Sequence, residues 1–125
     1  MRLLLDTHAV LWSTGDTDRI PPGVRVLIED RRNDVFVSLV SIWEIRIKTA
    51  AGKLALDIDL LRTIEDTELG ILPITLEHVE RTATLLFHHK DPFDRMLIAQ
   101  ALVEGMTLVT ADRMIRHYDV PVLWS

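Results

Sequence analysis

The sequence predicts an α/β domain built on a mainly parallel sheet. Short apolar or β-branched runs recur along the chain, each followed by a stretch with helical spacing. At 125 residues and 48% hydrophobic, the chain suits one compact core spanning 1–125. Repeats, low-complexity tracts and long linkers are absent from it.

The elements follow in order. A first strand is expected at Arg2 to Asp6, around Leu3-Leu4-Leu5. A helix from Pro22 to Arg31 leads to a second strand, Asp34 to Ser38. The next helix, Ile42 to Ala51, opens on Ser41-Ile42-Trp43-Glu44, which has capping-box spacing. Gly52 ends that region, and another helix is expected from Asp57 to Glu68, before a strand at Ile71 to Ile74. Between Leu76 and Phe87 the apolar positions 76, 79, 83 and 86 share one helical face, from which His78 and Glu80 fall away. Asp91 then caps a helix from Pro92 to Glu104, with proline at its first position. A strand at Thr107 to Thr110 and a short helix at Arg113 to His117 follow. Pro121 holds Val120 extended and assigns Val120 to Trp124 to a sheet edge, where Val122, Leu123 and Trp124 complete a core or an oligomer contact.

Composition narrows the chemistry. Without cysteine there is no disulfide, zinc-thiolate site, iron-sulfur cluster or cysteine nucleophile, so any metal takes oxygen or imidazole ligands. The three N-terminal leucines are too short a run for a signal-peptide core or a membrane span, and a soluble cytoplasmic protein is expected. A net charge of -5 gives no general attraction to nucleic acid. Local basic groups can still reverse the field around an acidic pocket. Arg46, Lys48 and Lys53, then Arg95, then Arg113, Arg116 and His117 are the candidates to contact nucleic-acid phosphates; each group also reads as a solvated helix surface.

Four acids stand where strands give way to helices, or within a helix's first turns. Asp6 ends the first apolar run, Glu44 opens the helix after the second strand, Asp94 lies in the first turn after the Asp91 cap, and Asp112 follows Thr110. Each alone is explained by helix capping or by the favourable field at a helix N-terminus. Together they mark the crevice beyond the C-terminal ends of parallel strands, the usual ligand site of such sheets. Converging carboxylates repel one another and take up protons unless cations compensate them. Mg²⁺ or Mn²⁺ suits such oxygen ligands, and a bound cation favours hydroxide formation and stabilises phosphate charge, which points to phosphodiester hydrolysis. Thr7 and Thr110 are candidates to bond a carboxylate or a metal-bound water; His8 is placed at the substrate entrance, and His88-His89 in a solvated turn before Asp91, with contact to phosphate or the partner as the other reading.

The stretches "LLLDTHAVLW", "VSLVSIWEIRIKTAAGKL", "HHKDPFDRMLIAQALVEG" and "LVTADRMIRHYDVPVL" resemble, in order and across nearly the whole chain, the acidic motifs of PIN-domain ribonucleases. They are most similar to those of the VapC toxins of toxin-antitoxin pairs. The resemblance implies a three-layer α/β/α fold and a Mg²⁺- or Mn²⁺-dependent endoribonuclease with Asp6, Glu44, Asp94 and Asp112 as catalytic metal ligands. It also implies a homodimer, control by a VapB-like antitoxin, and translation inhibition through cleavage of RNA such as tRNA or rRNA. Arg113 stands where similar chains often carry proline, which changes helix entry but removes no carboxylate. Two other classes are a catalytically silent nucleic-acid-binding module and a protein-interaction domain whose acids only cap helices.

Overall fold

The computed structural model describes residues 1–55 and 59–124. β1 (Arg2–Leu5) is the centre of a five-stranded sheet, with β2 (Asp34–Ser38) and β3 (Gly70–Leu72) on one side and β4 (Thr107–Thr110) and β5 (Val122–Trp124) on the other. The order is β3-β2-β1-β4-β5, and every neighbouring pair is parallel. Parallel neighbours need crossovers, which helices supply. α1 (Thr7–Thr14) and α2 (Pro22–Glu29) join β1 to β2, and α3 (Leu39–Ala50) and α4 (Leu60–Asp66) join β2 to β3. α5 (Leu76–Thr82) and α6 (Pro92–Glu104) return the chain to β4.

Alternation along β1 divides the interior into two cores. Leu3 and Leu5 pack with Ala9, Val10, Ile45 and Ile64 on one face, while Leu4 packs with Leu97, Ile98 and Ile115 on the other. The result is the three-layer α/β/α arrangement that the resemblance implies. Among the described residues, no helix is long and apolar enough to cross a membrane.

Several boundaries differ from the expectation, each for a local reason. α1 was not expected, because THAVLWST carries no amphipathic repeat; Asp6 nonetheless caps it by accepting the Ala9 N–H at 2.8 Å. β2 runs directly into α3, which starts at Leu39 and is capped by Ser38 accepting from Val40 N–H (3.0 Å). Ser41 therefore lies buried inside the helix, and the expected Ser41–Glu44 capping box does not form. The expected start of the next helix at Asp57 lies outside the described residues; the described helix is capped by Asp59.

α5 departs most. It ends at Thr82, and it buries His78 while leaving Leu76, Val79, Ala83 and Leu86 exposed. Two contacts decide this. Thr75 and His78 form a reciprocal capping box, and the same imidazole packs against Gln100 and Glu104 of α6. Downstream, the buried Arg95 guanidinium donates to the carbonyls of Thr82, Leu85 and Leu86 and so fixes the turn that follows the helix. α6 closes on Gly105 in the left-handed region (φ 66°) and passes into β4. Beyond β4, Asp112 caps a 3₁₀ turn, Arg113–His117. β5 is an edge strand, as Pro121 predicts.

Candidate active site

The strand order sets the site. The chain steps outward from β1 to β2 and β3, then returns past β1 to β4, so β1 and β4 flank the switch point of the sheet. Asp6 leaves β1 there, with its N–H on Val109 O of β4 at 3.0 Å. Its Oδ2 accepts the Thr110 hydroxyl from the end of β4 at 2.6 Å, while Oδ1 serves the α1 cap. Asp6 is only 4% exposed, and burial raises its carboxyl above the usual range against the lowering effect of the Thr110 bond; Asp112 raises it further.

Glu44 enters from α3, one turn deeper in the helix than expected. Its Oε1 accepts the Thr7 hydroxyl (2.5 Å), and Oε2 pairs with Lys48 (2.8 Å). The Glu44 bond holds the Lys48 ammonium above its ordinary pKa. Both oxygens of Glu44 are thus engaged by side chains of α1 and α3.

Asp91 and Asp94 divide the first turn of α6 between them. Asp91 Oδ1 accepts the N–H groups of Phe93 (2.8 Å) and Asp94 (3.2 Å), so the cap is complete without the Asp94 side chain. Asp94 projects instead to His89, whose Nε2 lies 3.1 Å from its Oδ2. The same Nε2 is 2.8 Å from Asp112 Oδ2, while Asp112 Oδ1 caps the 3₁₀ turn through Met114 N–H. Ligand-capable atoms of His89, Asp94 and Asp112 all lie within 4.8 Å of one another.

Asp94 is where the acids meet electrostatically. Burial first, then the charge of Asp91, pushes its carboxyl up to about 7; His89 opposes the shift, and Asp6 and Glu44 add to it. A carboxyl of ordinary pKa 3.8 held there is one whose charge the surrounding protein does not compensate. Hard oxygen donors crowded in this way fit Mg²⁺ or Mn²⁺, and the donor set excludes a thiolate-seeking metal. Asp94 Oδ2 and Asp112 Oδ2 meet at His89 Nε2, Asp6 couples to both through its charge, and Glu44 with its Thr7 and Lys48 partners forms the flank.

A PIN-domain model matches residues 3–121, which include all four acids. This chain belongs to the PIN-domain family. Over 126 residues it is 28% identical to ribonuclease VapC22 of Mycobacterium tuberculosis, covering 95% of this chain and 93% of that one. The fold is also that of VapBC2 from Rickettsia felis bound to a promoter DNA fragment, with a TM-score of 0.73 at 14% identity and 98% coverage of both chains. DNA-bound VapBC from Salmonella typhimurium gives a TM-score of 0.73 at 17% identity, covering 100% of this chain and 99% of that one. VapC-like PIN domains are known as metal-dependent endoribonuclease toxins paired with antitoxins, and the acidic cluster of this PIN domain agrees with Mg²⁺ or Mn²⁺ dependence.

The structure separates the basic residues expected at the rim. Arg46, Lys53, Arg113 and Arg116 are exposed, whereas Lys48 is committed to Glu44. Arg95 is corrected outright: it is 9% exposed, stacks over Phe87 and spends its guanidinium on buried carbonyls and the Tyr118 hydroxyl. It does not face a substrate. His8 is exposed and stacks on Trp12. His89, read in sequence as part of a turn, is the residue that sequence reasoning missed. Its position two residues before the α6 cap in "HHKDPFD" was the available signal.

Proposed function

We propose that this chain is a Mg²⁺- or Mn²⁺-dependent endoribonuclease toxin, acting in the cytoplasm as a single PIN-like unit over 1–125, with Asp6, Glu44, Asp94 and Asp112 as its catalytic acids. The observation that carries this reading is Asp94, half-buried beside other carboxylates at the switch point and pushed up to about 7. A bound divalent cation supplies charge compensation, a lowered pKa for attacking water and stabilisation of the phosphate in the transition state. Asp94 and Asp112, with Asp6, would hold the cation. Thr110 fixes the Asp6 carboxylate, and Thr7 and Lys48 fix Glu44. The exposed Arg46, Lys53, Arg113 and Arg116 supply phosphate contacts that orient RNA, tRNA or rRNA included, without reading its sequence.

The partner reading rests on surfaces beside this site. A groove of about 640 Å³ runs along Thr7, Leu11, Trp12, Lys48 and Leu54, and suits an amphipathic segment of a VapB-like antitoxin that covers the crevice. Exposed Leu76 (75%), Leu86 (67%) and Phe87 (81%) support a homodimer through the outer face of α5 and the turn after it. The deciding experiment is cleavage of total RNA by purified protein, with end mapping, in chelator and after adding back Mg²⁺ or Mn²⁺. Metal-restored cuts at defined positions are expected. Undiminished cleavage in chelator removes the metal mechanism, while stoichiometric RNA binding without products favours the catalytically silent module.

A further inference from the structure

We infer that His89 is a positioning residue of the metal centre, which sets the spacing of the Asp94 and Asp112 carboxylates through an Nε2 hydrogen-bonded to Asp112 and in contact with Asp94, and does not itself ligate the metal. The inference rests on the proposed metal site and concerns a residue outside its four acids.

The first argument is the tautomer. The backbone N–H of Asp91 points at His89 Nδ1 (3.2 Å). An amide N–H only donates, so Nδ1 accepts, and the proton of the neutral ring sits on Nε2. That N–H is hydrogen-bonded to Asp112 Oδ2 at 2.8 Å, and Asp94 Oδ2 lies in contact 3.1 Å from the same nitrogen. Coordination through Nε2 would move the proton to Nδ1, directly against the Asp91 N–H. Asp91 cannot easily turn away, because its side chain caps α6 and Pro92 follows it.

The second argument is how firmly the ring is held. The His89 N–H donates to the Tyr118 hydroxyl at 2.8 Å, and its carbonyl accepts from Arg95 at 3.3 Å. Tyr118 in turn donates to Leu86 O at 2.6 Å, and Arg95 reaches both that carbonyl and the Tyr118 hydroxyl. A buried cation and a buried phenol thus clamp both backbone polar groups of His89. A turn histidine with no role beyond solvation needs no such support.

The consequence is a division of labour between two segments remote in sequence. Asp94 comes from the first turn of α6 and Asp112 from the end of β4, and no direct hydrogen bond between the two is possible while both are charged. His89 Nε2 stands between them, hydrogen-bonded to Asp112 and 3.1 Å from Asp94, and sets their separation. Hydrogen-bond partners of metal-ligating carboxylates are worth about 10–100-fold in metal affinity.

The test is Mn²⁺ binding by calorimetry at fixed pH for wild type, His89→Ala and His89→Gln, with pulsed electron paramagnetic resonance of the bound ion. Gln places an N–H donor near the position of Nε2, whereas Ala removes it. His89→Ala is expected to weaken Mn²⁺ binding by about 10–100-fold, and His89→Gln to recover most of that loss. Bound Mn²⁺ in the wild type is expected to show no coupling to a directly ligated nitrogen. Unchanged or tighter binding by His89→Ala overturns the positioning role, as does a ligated-nitrogen signal that His89→Gln abolishes. If His89→Ala does not fold, His89→Met fills the space without a donor and carries the same expectation. Failure of the wild-type chain to bind Mn²⁺ overturns the metal centre itself, and is separate from a wild type that binds normally while the variants match it.

Discussion

The two ends of the sheet both carry carboxylates and treat them oppositely. At the end where β2 begins, Asp30 makes a two-pronged contact with Arg32, and Arg31 lies 3.7 Å from Glu68 in solvent. The Arg32 bonds hold the Asp30 carboxyl down at about 2. At the opposite end, Asp94 is pushed up to about 7 by burial and by other acids. The local cations there are already occupied, Lys48 by Glu44 and Arg95 by carbonyls. A carboxylate paired in water needs nothing further. A half-buried carboxylate crowded by other acids requires a cation that the described residues do not supply, and that difference marks the functional end.

The sharpest way to break the comparison is Asp94→Asn. Loss of a metal-ligating charge should reduce RNA cleavage by more than the ~100-fold that removal of a ligand's hydrogen-bond partner costs. Its stability in chelator at neutral pH should be equal to wild type or higher, because the cap belongs to Asp91. Thermal unfolding and cleavage rates measured on one preparation check both halves. A fall in stability matching the fall in rate would make Asp94 a structural residue.

Arg95→Met probes the cation that looks available and is not. Leaving the buried acceptors it serves without donors should destabilise the fold by about 3 kcal/mol. Denaturant unfolding measures the loss. A change confined to the KM for RNA, with stability intact, would return Arg95 to the substrate surface.

The pH dependence sharpens the contrast with a smaller effect. Asp94 has a folded-state pKa raised above its ordinary 3.8, so its contribution to metal-free stability is fully present below about 4 and is lost as pH rises through about 7. Asp30 has the opposite sign, with stability present above about 4 and lost as pH falls through about 2; its exposure keeps the contribution small. In chelator, wild type and Asp94→Asn should therefore unfold alike at pH 4 and diverge toward pH 7, with the variant the more stable. Metal affinity should rise with pH by up to about tenfold per unit below 7, since one proton leaves as the ion binds. Parallel curves across that range would contradict the Asp94 assignment.

Arg32→Gln is the smallest expected change. It removes the partner of an exposed acid at the far end of the sheet, so cleavage and Mn²⁺ affinity should match wild type. A loss of activity would mean that the two ends communicate.

Sequence alone determined what is local. The Asp91-Pro92 cap, the edge position of β5 after Pro121 and the parallel α/β layering follow from backbone chemistry and short-range periodicity. The positions of Asp6, Asp94 and Asp112 at helix entries were legible for the same reason, whereas Glu44 lies a turn inside α3. Tertiary structure alone decided which way side chains point once elements pack. Ser38, not Ser41, caps α3 because β2 enters the helix without a linker. His78 turns inward and the apolar stripe of α5 outward, because α6 presents Gln100 and Glu104 to the imidazole. His89 reaches Asp112 across 23 positions of chain, and Tyr118 reaches back 29 positions to the His89 backbone. Such contacts leave no periodic trace in the sequence, because their partners are brought together by the crossover that returns the chain from β3 to β4.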